Sequence, residues 1–218
     1  MENNNVKNTP VLENKKRSTK EKIFSFVKWF FIILFLLYIG ILVARGIWLE
    51  KQEVTEEKIQ EIHAQKINID DAIGKNLPPD PGEFGNKTLK GVDVNENGIR
   101  DDVEIAIFKK YPNSAKLRAA LLQYAFALDR AINQKILNTK LATELAREVS
   151  RGSYCISEAL TPRGDNFFDR YLDVTEWTRA TVFNTEKRSQ AEEDFLKKVR
   201  SFSDLEDYCD IDYSKLEN

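Results

Sequence analysis

The sequence predicts an all-α chain. One membrane-spanning helix comes first, then a helical stalk, then a helical bundle. Three observations carry this. Residues 23–49 form the one strongly apolar run, long enough for a bilayer. From Leu117 onward apolar residues recur at intervals of three and four, the period of a buried helix face. No alternating strand run of useful length occurs anywhere in the chain.

Residues 1–22 are rich in Asn and in charge, a composition that predicts a disordered tail. Trp29 and Trp48 bracket the apolar run, and helical rise places them roughly 28 Å apart, about the hydrocarbon thickness of a membrane. Tryptophans at both edges match an interfacial belt, and Lys28 and Arg45 lie near the two ends, where they can snorkel. A cleaved signal peptide would have a shorter apolar core ending in small residues at alternate positions. Leu42 and Ala44 make a poor cleavage pair, and no cysteine follows to take a lipid, so a retained anchor is the reading. Lys7, Lys15, Lys16, Arg17, Lys20, Lys22 and Lys28 precede or open the span, whereas only Arg45 and Lys51 follow closely. The positive-inside rule then keeps the N-terminus in the cytoplasm and exports the rest.

Residues 50–75 are highly charged, with Val54, Ile59, Ile62, Ile67, Ile69 and Ile73 unevenly spaced. They predict a membrane-proximal helical stalk. A homodimeric coiled coil is an alternative that no sustained heptad supports. Residues 76–92, with Pro78, Pro79, Pro81, Gly82, Gly85 and Gly91, predict a linker or extended strap. Residues 93–218 then form the helical domain. Its helices are marked by Leu117, Leu121, Tyr124, Leu128, Ile132 and Ile136; by Leu141, Leu145, Val149, Ile156 and Leu160; by Phe168, Tyr171, Val174, Trp177 and Thr181; and by Ala191, Phe195, Val199 and Phe202. Asn113 and Asn138 or Thr139 are candidate N-caps, Thr161-Pro162 and Gly164 mark a break, and Ser203 with Glu206 has capping-box spacing for a last short helix.

Defined chemistry is implied by one stretch, residues 93–104. Asp93, Asn95, Asn97, Asp101 and Glu104 fall at loop positions one, three, five, nine and twelve, with Gly98 at six. Calcium is a hard cation that takes six to eight oxygens, and a short chain supplies them by curling around the ion. Asp93, Asn95 and Asn97 each turn one oxygen inward, Ile99 offers its carbonyl, Asp101 binds directly or through water, and Glu104 closes the site with two oxygens. Gly98 permits the positive φ of the reversal. Asp101 and Asp102 favour the N-terminal end of the helix that follows. The alternative is a polar turn that caps a helix without metal. With three carboxylates and two amides, the expected affinity is on the order of 10⁻⁵ to 10⁻³ M.

This segment resembles an EF-hand loop, and more closely the D-x-[DN]-x-[DN]-G-x-x-D-x-x-E loops of thrombospondin type-3-like repeats and bacterial envelope proteins. Arg100 stands at position eight, where paired EF-hands place an aliphatic residue, the Pro/Gly segment leaves no entering helix, and the motif has no second copy. A fixed structural ion is therefore expected, not a sensor. PPDPGE (Pro78–Glu83), GVDVNENGIRDDVE (Gly91–Glu104) and YPNSAKLRAALLQYA (Tyr111–Ala125) resemble uncharacterised Gram-negative envelope proteins. That resemblance implies the bacterial inner membrane, with the C-terminal domain in the periplasm, and no transferable activity.

Residues 46–218 hold 25 Lys plus Arg against 32 Asp plus Glu, an acidic balance that argues against nucleic acid. Cys155 and Cys209, both beyond the span, suggest a disulfide in an oxidising compartment, the alternative being two buried thiols. No catalytic set stands out. The single histidine, His63, lies in the charged stalk, where a solvated helix face accounts for it. Glu192 and Glu193 read as a solvated face, and Phe167, Phe168, Tyr171 and Trp177 as core. The expected function is a non-catalytic, calcium-stiffened scaffold or interaction domain with an unidentified envelope protein partner. The alternatives are an envelope glycan hydrolase using carboxylates alone and an accessory subunit of a membrane complex. Gly40 and Gly46 are too far apart for a G-x-x-x-G contact, which leaves the last without support.

Overall fold

A computed structural model describes residues 19–161, 164–202, 205 and 208–216. The chain is all-α, with no strand among the described residues. Seven helices follow in order: α1 Thr19–Ala64, α2 Ile69–Ile73, α3 Asp101–Lys110, α4 Ala115–Asn133, α5 Thr139–Ala159, α6 Phe167–Val182 and α7 Glu186–Leu196. Short 3-10 turns cover Gly82–Asn86 and Tyr213–Lys215. Two compact units divide the chain, Met1–Gln52 and Glu53–Asn218.

In the first unit the described residues belong to α1. They include one stretch long and apolar enough to cross a membrane, none of it buried by protein. Phe26, Trp29, Phe31, Leu36, Ile41 and Trp48 all stand exposed. The expected disordered tail, residues 1–22, lies mostly outside the described residues, and helix is already present at Thr19.

The second unit is built around α4. Fifteen of its nineteen residues are buried, so neighbours cover it on every side. α5 packs closest. Gly152 makes this approach: a Cβ there would lie 2.7 Å from the Tyr124 Cα. The main core joins Ile99, Val103 and Ile107 of the loop and α3, Leu121, Leu122 and Leu128 of α4, Ile156 of α5, and Val174 and Val182 of α6. A second core joins Ile59 and Ile62 of α1 to Ala131, Leu141, Leu145 and Phe195.

That second core joins part of the expected stalk to the bundle. The part of the stalk from Glu53 onward belongs to the same compact unit as the bundle. Ile59, Ile62, Ile67 and Ala72 are buried in it. The charge that suggested a stalk covers the outer face of α1, while its isoleucines pack inward. Three smaller differences follow. Ser114, one residue after the expected Asn113, caps α4 by accepting from Leu117 N–H, whereas Asn138 caps α5 as expected. α7 ends at Leu196, short of Val199 and Phe202. Phe168 is exposed. The Ser203–Glu206 cap lies outside the described residues.

Cys155 and Cys209 are disulfide-bonded. The bond lays the C-terminal segment over α4 and α5. Gln123 Nε2 donates to the Tyr208 carbonyl at 2.8 Å, and Asp210 N–H donates to Gln123 Oε1 at 3.0 Å. The Asp210 carboxylate pairs with Arg151 at 3.3 Å and accepts from Ile67 N–H at 3.2 Å.

Candidate metal centre

Residues 93–104 form a loop that closes on the first turn of α3. No helix enters it; the Gly82–Asn86 turn and irregular chain precede it. The Asp101 N–H donates to the Val92 carbonyl at 2.9 Å and shuts the loop at its neck. The Asp93 carboxylate accepts from Asn97 N–H at 3.2 Å and Gly98 N–H at 3.0 Å. Asn97 Oδ1 accepts from Ile99 N–H at 2.9 Å. Glu96 and Gly98 take positive φ, 55° and 85°. Gly98 is required twice over, because a Cβ there would also lie 2.4 Å from the Phe126 ring.

Glu104 reaches back from α3 to the loop. Asn97 Nδ2 donates to its Oε1 at 2.9 Å, and Asn95 Nδ2 donates to its Oε2 at 3.2 Å. The structure thus gathers Asp93, Asn95, Asn97 and Glu104 into one mesh. Asp101 is fully buried at the neck, where both its oxygens accept from Val94 N–H, at 3.0 and 3.3 Å. Ile99 is fully buried and anchors the loop in the core.

Charge is the distinctive property of this centre. Glu104 is 1% exposed and Asp101 0%. Among the described residues, no Lys or Arg forms an ion pair with Asp71, Asp93, Asp101 or Glu104. Buried carboxylates without a cation are costly. Burial therefore pushes Glu104 up to about 7; the Asn97 and Asn95 amides resist this, and the Asp71 and Asp101 charges add to it. Burial likewise raises Asp101, with Val94 N–H opposing and Asp93 and Asp102 reinforcing. A 180° turn of each asparagine amide exchanges nitrogen for oxygen toward Glu104. The centre then presents oxygens of two charged and two neutral side chains, a donor set that fits a hard divalent cation.

Arg100, at loop position eight, does what no aliphatic residue there could. It is 1% exposed and turned into the bundle. Its guanidinium pairs with Asp102 at 2.9 Å and Asp129 at 3.3 Å, and donates to the Val182 carbonyl at 2.8 Å. The single loop is thereby tied to α4 and to the C-terminal end of α6. Arg188 of α7 supports the chain leading into the loop. It donates to Gly85 O, Thr88 O and Leu89 O, and to the side-chain oxygens of Asn86 and Asn184. Neither arginine was legible as a core residue, since isolated arginines in charged segments read as surface.

Two further residues missed by the motif lie beside it. Asn95 Nδ2 also donates to the Asn76 carbonyl at 3.0 Å, and Asn76 Nδ2 donates to Asp71 Oδ1 at 3.4 Å. Asp71 sits in α2, whose capping box it completes with Asn68. That Asn-x-x-Asp spacing was the available signal. An open cleft of about 810 Å³ runs along this side of the loop, lined among others by Asp71, Asp93, Asn97, Phe126, Asp129 and Arg130.

His63 is half exposed and meets α5: its Nε2 lies 2.9 Å from Glu144 and 3.8 Å from Glu148. Arg147 and Arg151 already pair with those carboxylates, at 3.5 and 2.5 Å. Arginines thus already face both carboxylates, unlike those of the loop. Glu192, expected on a solvated face, pairs with Arg179. Trp177 packs edge-on against Tyr111, with ring centroids 5.7 Å apart.

The loop charge has a pH signature in the metal-free protein. Glu104 is pushed up to about 7 from 4.5. Asp129 is pushed up to about 6 from 3.8 by burial, against the pull of Arg100 and Arg188. Both folded values exceed the unfolded ones, so the folded state holds more protons between roughly pH 4 and 7. Stability present below that window is lost as pH rises through it. Metal-stripped protein is expected to melt higher at pH 5 than at pH 8, as thermal denaturation in metal-free buffer would record.

No protein-family model, no curated protein and no solved structure matches this chain.

Proposed function

We propose that this is a single-pass, membrane-anchored, calcium-binding protein of the bacterial envelope, acting as a non-catalytic scaffold or interaction domain. In this reading residues 23–49 cross the inner membrane, the N-terminus stays in the cytoplasm, and the unit Glu53–Asn218 lies in the periplasm. The apolar helix supports the anchor. The Cys155–Cys209 bond fits an oxidising compartment.

The observation that carries the proposal is the uncompensated mesh of Asp93, Asn95, Asn97 and Glu104. Carboxylates are gathered there with no cation of the protein's own. Asp93, Asn95, Asn97, Ile99, Asp101 and Glu104 would hold the ion. Its role is structural: it fixes the chain preceding the loop against the N-terminal end of α3. A sensor needs two helices that change angle, and here no helix enters the loop while Arg100 pins it to α4 and α6.

Calorimetric titration of the metal-stripped full chain in detergent tests this. Saturable calcium binding is expected on the order of 10⁻⁵ to 10⁻³ M, with a raised melting temperature. Glu104→Gln should weaken binding at least about tenfold. Absence of heat, or a Glu104→Gln variant that binds like the parent, would reduce the loop to a helix-capping turn.

A further inference from the structure

Two hydrogen bonds and an open cleft meet at one residue outside the motif. Asp71 is only 5% exposed, yet its oxygens accept only from neutral groups: Asn68 N–H at 3.4 Å and Asn76 Nδ2 at 3.4 Å. Asn76 is also bonded through its carbonyl to Asn95 Nδ2, and the same Nδ2 donates to Glu104 Oε2. A continuous polar chain therefore runs Asp71–Asn76–Asn95–Glu104. Asp71, Asp93 and Asn97 also face one cleft, open to water. Its sequence neighbour Asp70 is differently placed: half exposed and paired with Lys75 at 3.0 Å.

We infer that Asp71 is an outer member of the divalent-cation site, adding a fourth carboxylate to the field of the loop. The inference rests on the calcium reading above and deepens it. Asp71 belongs to a helix twenty-two positions before Asp93, so the loop motif cannot contain it. Its charge acts through the water of the shared cleft, because the amide turn that aims Asn95 Oδ1 at an ion takes Nδ2 off Glu104 and Asn76. Attraction between charges scales with the charge of the ion, so Asp71 contributes more to a trivalent ion than to calcium. Without an ion, the same charge opposes folding.

These consequences distinguish an electrostatic role from a packing role. The probes are calcium and terbium(III), titrated into the metal-stripped full chain in detergent at low salt. Asp71→Asn keeps the acceptor that the capping box needs and removes the charge. It is expected to weaken calcium binding about five- to tenfold, and terbium binding by a larger factor. High salt should shrink both differences. Asp70→Asn is expected to shift calcium affinity less than about twofold, since solvent and Lys75 screen it. In metal-free buffer Asp71→Asn should melt no lower than the parent.

If the parent itself binds no calcium, the loop reading fails and this inference falls with it. If the parent binds calcium but Asp71→Asn matches Asp70→Asn, the inference alone is overturned. It is also overturned if Asp71→Asn melts lower without metal, or fails to fold, because Asp71 would then be a packing residue.

Discussion

Arg188→Met is expected to destabilise the unit Glu53–Asn218 by about 3–5 kcal/mol, because buried oxygens left without their charged donor cost about 1–3 kcal/mol each. Arg188 is fully buried, and its guanidinium donates to five oxygens. Three of them are carbonyls of the chain between Gly85 and Leu89, which has no regular secondary structure beyond the turn at Gly82–Asn86. Methionine matches the aliphatic stem and removes every donor. The carbonyls then either stay buried without partners or open to water, and the chain leading to the metal loop loosens. Relief of the like charge of Arg100, which lies close by, offsets part of the loss. Chemical denaturation of parent and variant checks the size, and the variant's calcium affinity should fall as well. A variant within about 0.5 kcal/mol of the parent would show that water replaces the arginine at little cost.

Opening the Cys155–Cys209 bond should cost about as much. The bond spans 54 positions, a closure worth about 4 kcal/mol by chain entropy. What it holds is specific. The segment after it gives Asp210 to Arg151 and to the Ile67 N–H, and lets the Tyr213 hydroxyl donate to the Cys155 carbonyl at 3.4 Å. Melting with and without reductant measures the effect, and Cys155→Ala/Cys209→Ala should melt low in both. Equal melting temperatures for the parent in oxidant and reductant would contradict this account.

The helical class was readable because apolar residues in α4 and α5 recur at the period of a helix. The shape of the loop was readable because its polar residues are contiguous and its glycine is obligatory. What could not be read shares one physical cause: it depends on residues brought together from far apart. The periodicity of Leu117, Leu121, Tyr124, Leu128 and Ile132 marked one buried face of α4, but not that its opposite side, with Arg118, Gln123 and Asp129, is buried too. Arg118 ends in carbonyl oxygens, donating to Ala72 O at 3.0 Å and Pro112 O at 2.7 Å. Asp129 finds Arg100 twenty-nine positions away. Charge on residues 50–75 suggested a stalk because composition reports the exposed face and conceals the isoleucines beneath it. Asp71 escaped notice for the same reason: a motif is local, and the field around an ion is not.

The enclosure of α4 sets how the second unit can come apart. A helix with one exposed side can lose a neighbour and keep its own environment. α4 has no such side: α2, α3, α5, α6 and α7 all rest on it. Releasing any of them wets apolar surface on α4, so partial opening forfeits much of the core at once. The loop, the disulfide and the buried arginines are thus not separate fastenings. They close one cooperative folding unit, and strain at any of them is shared through its central helix.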